Sequence, residues 1–188
     1  MNKTTSSCSP IIQRTRRVRT VIVGTGLAFR AHLSGYRRCK HLALYGIVSS
    51  KNPQIAAQLG VAVYASFEDA LRDPAVDAID LAVPTGLHAD MAISAMRAGK
   101  HILIEKPLDA DPAKARQVVE ESRKHGVIAS YISQYRFSAG IELMKEILAD
   151  NGIGELVCVN STQMIDRGNA YYFESPWRAN PVSVGAVS

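Results

Sequence analysis

The chain has 188 residues, 47% of them hydrophobic and 21% charged, a composition that suits a globular protein and excludes a disordered or fibrous one. Its net charge of +5 is local: Lys3, Arg14, Arg16, Arg17 and Arg19 stand in the first 19 residues without an acid, and the remaining 17 basic residues balance 17 acidic ones. A nucleic-acid binder carries its basic face on the folded domain, so nucleic acid is not expected as a partner.

Residues 1–17 are expected to form a basic flexible leader. Arg16-Arg17 precedes an apolar stretch, as in a twin-arginine export signal. Yet Arg19, Gly24 and Gly26 interrupt that stretch, and no small-residue cleavage site follows. Val18–Val23 instead reads as a first, buried strand. Gly24-Thr25-Gly26-Leu27-Ala28 then turns the chain into a helix that runs to Arg38. Leu42–Val48 predicts a second strand, Pro53–Leu59 a helix and Val61–Tyr64 a brief strand. Ser66 caps the next helix, with Asp69 three residues on in a capping-box pattern, and Asp73-Pro74 stops it. Val76–Val83 is an apolar fourth strand ended by Pro84.

A helix over Leu87–Ala98 follows, with Gly99 placed as a left-handed cap. His101–Ile104 is the fifth strand. Asp111-Pro112 opens a helix with a cap and an N1 proline, His125-Gly126 closes it, and Val127–Ile132 is the sixth strand. Strands that alternate with helices through short connections predict right-handed βαβ units and a parallel sheet. Their continuous apolar character predicts helices on both faces. Beyond this α/β domain, over residues 18–135, the pattern changes. Ala139–Ala149 is amphipathic, and Glu155–Met164 alternates as the first strand of a different, half-exposed sheet would. One strand and an irregular tail from Asp166 to Ser188 cannot make a core. Residues 136–188 therefore predict an incomplete α/β C-terminal domain, whose unpaired strand edge would favour aggregation.

No apolar run approaches the ~20 residues of a membrane-crossing helix, so no membrane partner is expected. Three scattered cysteines, Cys8, Cys39 and Cys158, suit neither a disulfide framework nor a zinc knuckle. The expected setting is cytoplasmic, and no metal site is expected.

Gly24-Thr25-Gly26 stands after a predicted strand and before a helix, the context of the dinucleotide fingerprint. The first glycine permits a tight turn and the second lets backbone amides approach a pyrophosphate, which the helix N-terminus attracts. Phe29 holds the third glycine position and is expected to push the helix outward unless the packing adapts. NAD sites place an acid about 20 residues beyond the glycines to hold the ribose 2′-hydroxyl. Here that stretch is Ser49-Ser50-Lys51-Asn52. Ser50 can hydrogen-bond a 2′-phosphate and Lys51 can supply charge, which favours NADP(H) while leaving NAD(H) open. Glu105-Lys106-Pro107 follows the fifth strand, at the carboxyl edge where open α/β sheets bind ligands. A lysine there can hydrogen-bond a substrate hydroxyl and help move its proton. A cis bond before Pro107 is expected.

These pieces resemble the glucose–fructose oxidoreductase, inositol dehydrogenase and rhizopine-catabolism (Gfo/Idh/MocA) family. They are Val21–Gly26 with His32, Val76–Thr85 with His88, and Ala98–Pro107. Arg136-Phe137, Ile153–Leu156 and Trp177-Arg178 continue the series. The resemblance implies a Rossmann domain followed by an α/β domain, and NAD(P)-linked redox at a hydroxyl or carbonyl carbon of a sugar, cyclitol or related small molecule. It implies Lys106 as the catalytic lysine, with Glu105 beside it. It implies Pro84, Thr85 and His88 in a turn along the cofactor, and Arg136, Trp177 and Arg178 near its nicotinamide end. Family members continue past the Trp-Arg segment to an Asp and a His that complete the acid–base site. The chain ends at Ser188 before them, so a shortened form with cofactor binding and little turnover is expected. Homo-oligomers are expected only of an intact member. The competing expectation is a non-catalytic dinucleotide-binding sensor on the same scaffold.

Overall fold

The computed structural model describes residues 16–49, 53–166 and 168–173. Residues 1–15, together with Ser50, Lys51, Trp177 and Arg178, lie outside the described residues.

In chain order the elements are β1 (Val18–Val23), α1 (Leu27–Arg38), β2 (Leu42–Val48), α2 (Pro53–Leu59), β3 (Ala62–Tyr64), α3 (Phe67–Arg72) and β4 (Ala78–Leu81). They continue as α4 (His88–Arg97), β5 (His101–Ile104), α5 (Pro112–His125), β6 (Ala129–Tyr131), α6 (Ala139–Ala149) and α7 (Asn169–Phe173). The strands hydrogen-bond in the order β3-β2-β1-β4-β5-β6. This is the doubly wound dinucleotide-binding order, whose switch point falls between β1 and β4. The pairings β1–β2, β2–β3 and β5–β6 are parallel.

Two compact units divide the chain, one up to Asp80 and one from Leu81. In the first, Val21, Ile22, Ile47 and Ile79 have no solvent exposure, and Phe29 and Tyr36 of α1 are buried with them. Gly46 is required by close approach: a Cβ there would stand 2.6 Å from Tyr64 Cε2 and 2.9 Å from the Ala62 carbonyl oxygen. The glycine thus lets the Tyr64 ring lie on β2. Ser66 and Asp69 form the expected capping box at the start of α3. All four residues of β4 are buried. Because successive side chains point to opposite faces, both faces of the sheet are covered at that strand.

In the second unit the core is Leu81, Ala89, Ala92, Ala95, Met96, Ile102, Ile104 and Val118. Helices α4 and α5 are tied at the surface by Arg97 to Glu121 (3.2 Å) and Lys114 to Asp90 (3.0 Å). Gly99 takes the expected left-handed conformation after α4, and Gly126, where α5 was expected to close, takes it too. Asp111 caps α5 through the Ala113 amide, ahead of Pro112.

Two expectations need correction. Residues 155–166 carry neither helix nor strand, and they are exposed throughout. Alternation makes a strand only when another strand takes its backbone hydrogen bonds, and among the described residues none does so here. The stretch after Asp166 is not wholly irregular, since α7 occupies Asn169–Phe173. Strand ends are also shorter than the apolar runs: β4 omits Val76, Asp77, Ala82 and Val83, and β6 omits Val127, Ile128 and Ile132. Among the described residues no helix is long and apolar enough to cross a membrane.

Candidate dinucleotide and proton-transfer site

The turn that leaves β1 starts at Gly24, whose φ of 98° is the left-handed region where a side chain is strained. Gly26 then sits at the N-cap of α1. No side chain caps this helix, and its first turn holds no acidic residue. Its leading N–H groups are thus left for an anion, and the helix dipole favours one there. A Cβ on Gly26 would meet no atom within 4 Å, so the glycine opens space beside those amides. Thr25 and Ala28 are half-buried, while Gly26 and Leu27 are exposed. An uncapped helix end, no carboxylate and an open glycine together fit a pyrophosphate. Phe29 is only 4% exposed, so the packing does adapt, with the ring absorbed into the core.

Behind this turn lies a polar cluster that sequence reasoning did not assemble. The Asp80 carboxylate on β4 has no solvent exposure. His32 Nδ1 lies 2.9 and 3.0 Å from its two oxygens, and the Tyr36 hydroxyl donates to Oδ2 at 3.0 Å. A carboxylate only accepts, so His32 donates its Nδ1–H. Burial, followed by the Asp80 charge and the hydrogen bond to it, holds the Tyr36 hydroxyl far above the ordinary range, and it remains a donor. The available signal was an acid inside the apolar run Val76–Val83, since a charge buried on a fully covered strand demands partners. Ser49, at the end of β2, is buried at 8% exposure.

In the second unit, Pro84 leads into a short 3-10 turn over Thr85–Leu87, closed by the Leu87 amide on the Pro84 carbonyl at 2.9 Å. Thr85 is buried. His88, the first residue of α4, has no exposure at all. Its Nδ1 lies 2.7 Å from the Pro107 carbonyl oxygen and its Nε2 2.9 Å from that of Val83. The buried ring thus lies between the Val83 carbonyl and that of Pro107 in the turn after β5. Glu105 pairs with Leu81 through its backbone amide at 3.3 Å. Its carboxylate accepts the Lys106 backbone N–H at 3.0 Å. Lys106 itself is exposed, and the Lys106–Pro107 bond is cis, as expected. Arg136 stands in the turn Gln134–Phe137 with its side chain exposed, and its carbonyl accepts from Lys145 Nζ at 2.9 Å. Among the described residues no group of acids, histidines and cysteines is placed to hold a metal ion.

Residues 18–133 match the Gfo/Idh/MocA pattern, described as an oxidoreductase family with an NAD-binding Rossmann fold. The chain belongs to this family.

Among Gfo/Idh/MocA relatives, it is 26% identical over 176 residues to levoglucosan dehydrogenase of Pseudarthrobacter phenanthrenivorans, covering 86% of this chain and 42% of that one. It is 31% identical over 144 residues to D-xylose 1-dehydrogenase (NADP(+)) 2 of Haloferax volcanii, covering 74% of this chain and 44% of the relative. The WlbA dehydrogenase of Bordetella pertussis, solved in complex with NADH and UDP-GlcNAcA, superposes with a TM-score of 0.83. Identity there is 26%, with 89% of this chain and 52% of that one covered. The chain thus spans about half the length of the family members it matches.

Proposed function

We propose that this protein binds NADP(H) in preference to NAD(H) and serves hydride transfer at a hydroxyl or carbonyl carbon of a sugar, cyclitol or related small molecule. The observation that carries the reading is the open space at Gly26 beside the uncapped, acid-free start of α1. Those amides would hold the pyrophosphate. Ser50 and Lys51, in a stretch without an acid, would receive the 2′-phosphate. When bound, the nicotinamide ring supplies the hydride acceptor or donor. Lys106 would hydrogen-bond the substrate oxygen and take or return its proton, with its backbone held from the Glu105 carboxylate.

The substrate class rests on the relatives, which are named for levoglucosan and D-xylose, and on WlbA, which was solved with a UDP-sugar acid. In this reading residues 18–135 bind the dinucleotide and 136–188 belong to the substrate side, where Arg136, Trp177 and Arg178 fall. Titration with NADPH and NADH, followed by nucleotide fluorescence, tests the first claim: tighter NADPH binding is expected, and binding of neither refutes it. A panel of sugars and cyclitols with NADP+ tests the second. Nucleotide binding with no reduction of NADP+ across the panel would favour a non-catalytic binding role.

A further inference from the structure

We propose that His88 is a positioning residue for Lys106, acting by donating its Nδ1–H to the carbonyl of Pro107; this rests on the reading of Lys106 as the proton-handling group. Lys106 is exposed and ends in an ammonium on a flexible four-carbon stem, so where that charge can reach depends on how its backbone is held. On the amino side, the Lys106 N–H is anchored on the Glu105 carboxylate at 3.0 Å. On the carboxyl side, Pro107 has no N–H to offer, and its carbonyl is the backbone group through which the turn can be gripped. His88 grips it at 2.7 Å.

The ring is not a cap for its own helix. The residue before it, Leu87, makes no side-chain cap, and both ring nitrogens turn instead to carbonyl oxygens, those of Pro107 and Val83. A carbonyl only accepts, so the Pro107 contact is attractive only when Nδ1 carries the proton. Full burial adds to the argument. An aliphatic side chain would fill the same space but leave the half-buried Pro107 carbonyl without this donor, and losing a hydrogen-bond partner there is costly. Through its Nδ1–H the ring therefore ties the start of α4 to the Lys106–Pro107 turn.

Two measurements test this on the chain as it is. With 15N-labelled histidine, the His88 Nδ1 signal is expected to be that of a proton-bearing nitrogen whose proton exchanges slowly with solvent. An Nδ1 without a proton overturns the proposal, and this result needs no variant. Lysine amines are next 13C-methylated, the Lys106 signal being assigned by its loss in Lys106→Arg, and read at saturating NADPH. In the wild type NADPH is expected to shift the Lys106 signal. If it does not, the Lys106 reading fails, independently of His88. In His88→Phe the shift is expected to vanish, and in His88→Gln, whose amide can donate to the same carbonyl, to return. A folded, NADPH-bound His88→Phe with the wild-type shift overturns the positioning role.

Discussion

His32 Nδ1 meets both oxygens of the Asp80 carboxylate, at 2.9 and 3.0 Å, and the carboxylate itself has no solvent exposure. With Tyr36 donating to the same group at 3.0 Å, this pins two successive turns of α1 to β4. Because α1 begins at the glycine turn, the buried carboxylate sets how the helix stands behind its anion-facing end. Replacing Asp80 by Ala leaves a buried imidazole and a buried phenol without their acceptor, and should cost about 3 kcal/mol or more. Tyr36→Phe removes the hydroxyl's hydrogen bonds with Asp80 and Thr20 and should cost about 1–2 kcal/mol. Urea denaturation of both variants checks the order, and equal losses would remove the carboxylate from the centre of the cluster.

Gly26→Ala separates binding from folding. Its Cβ meets nothing within 4 Å and the backbone there is extended, with φ −82°, so the melting temperature should barely move. The methyl group would nevertheless occupy the space beside the α1 amides, and NADPH affinity should fall by roughly tenfold or more, which is about 1.4 kcal/mol or more. Calorimetric titration alongside a melting curve decides it: an affinity equal to wild type would place the pyrophosphate elsewhere.

Cofactor choice should follow residues 50 and 51. A double change, Ser50→Asp with Lys51→Ser, supplies the acid that holds a ribose 2′-hydroxyl and repels a 2′-phosphate. The ratio of NADPH to NADH affinity should drop by roughly two orders of magnitude, given that charge-assisted hydrogen bonds are worth about 1.5–3 kcal/mol. An unchanged ratio would mean that discrimination lies outside this stretch.

Acid stability should depend on Glu121. Arg97 reaches it by a hydrogen bond that outweighs the cost of its burial, Lys124 adds a second, and its carboxyl is drawn down from 4.5 to about 2. A depressed folded-state value contributes stability that is complete above the unfolded value and disappears as pH falls through the folded one. The melting-temperature gap between wild type and Glu121→Gln should therefore hold at neutral pH and close between about pH 4.5 and 2. A gap that persists at pH 2 would mean that the charge is not its source.

Much of this architecture was legible because the central strands are buried over much of their length and so are mostly apolar. Val18–Val23, Leu42–Val48 and His101–Ile104 stand out between their turns for that reason. Local chemistry marked the helix limits equally well: Ser66 with Asp69, Asp111 before Pro112, and the left-handed Gly99 and Gly126 all act within a few residues of their own positions. What remained hidden is non-local. Asp80 takes its partners from 44 and 48 residues upstream, and His88 takes one of its own from 19 residues downstream. Nothing in a helix-start histidine says that it faces inward to another turn. Glu155–Met164 misleads in the opposite sense, because alternation is necessary for a half-buried strand but does not supply its neighbour.

Helix α6 leaves Leu143, Met144, Ile147 and Leu148 uncovered, and Val157 and Met164 beyond it are more than nine-tenths exposed. Water must wet these apolar side chains in the isolated chain, an arrangement that excluded salts penalise. Ammonium sulfate should therefore salt the protein out early, and a mild non-ionic detergent should keep it dissolved at concentrations where plain buffer turns cloudy.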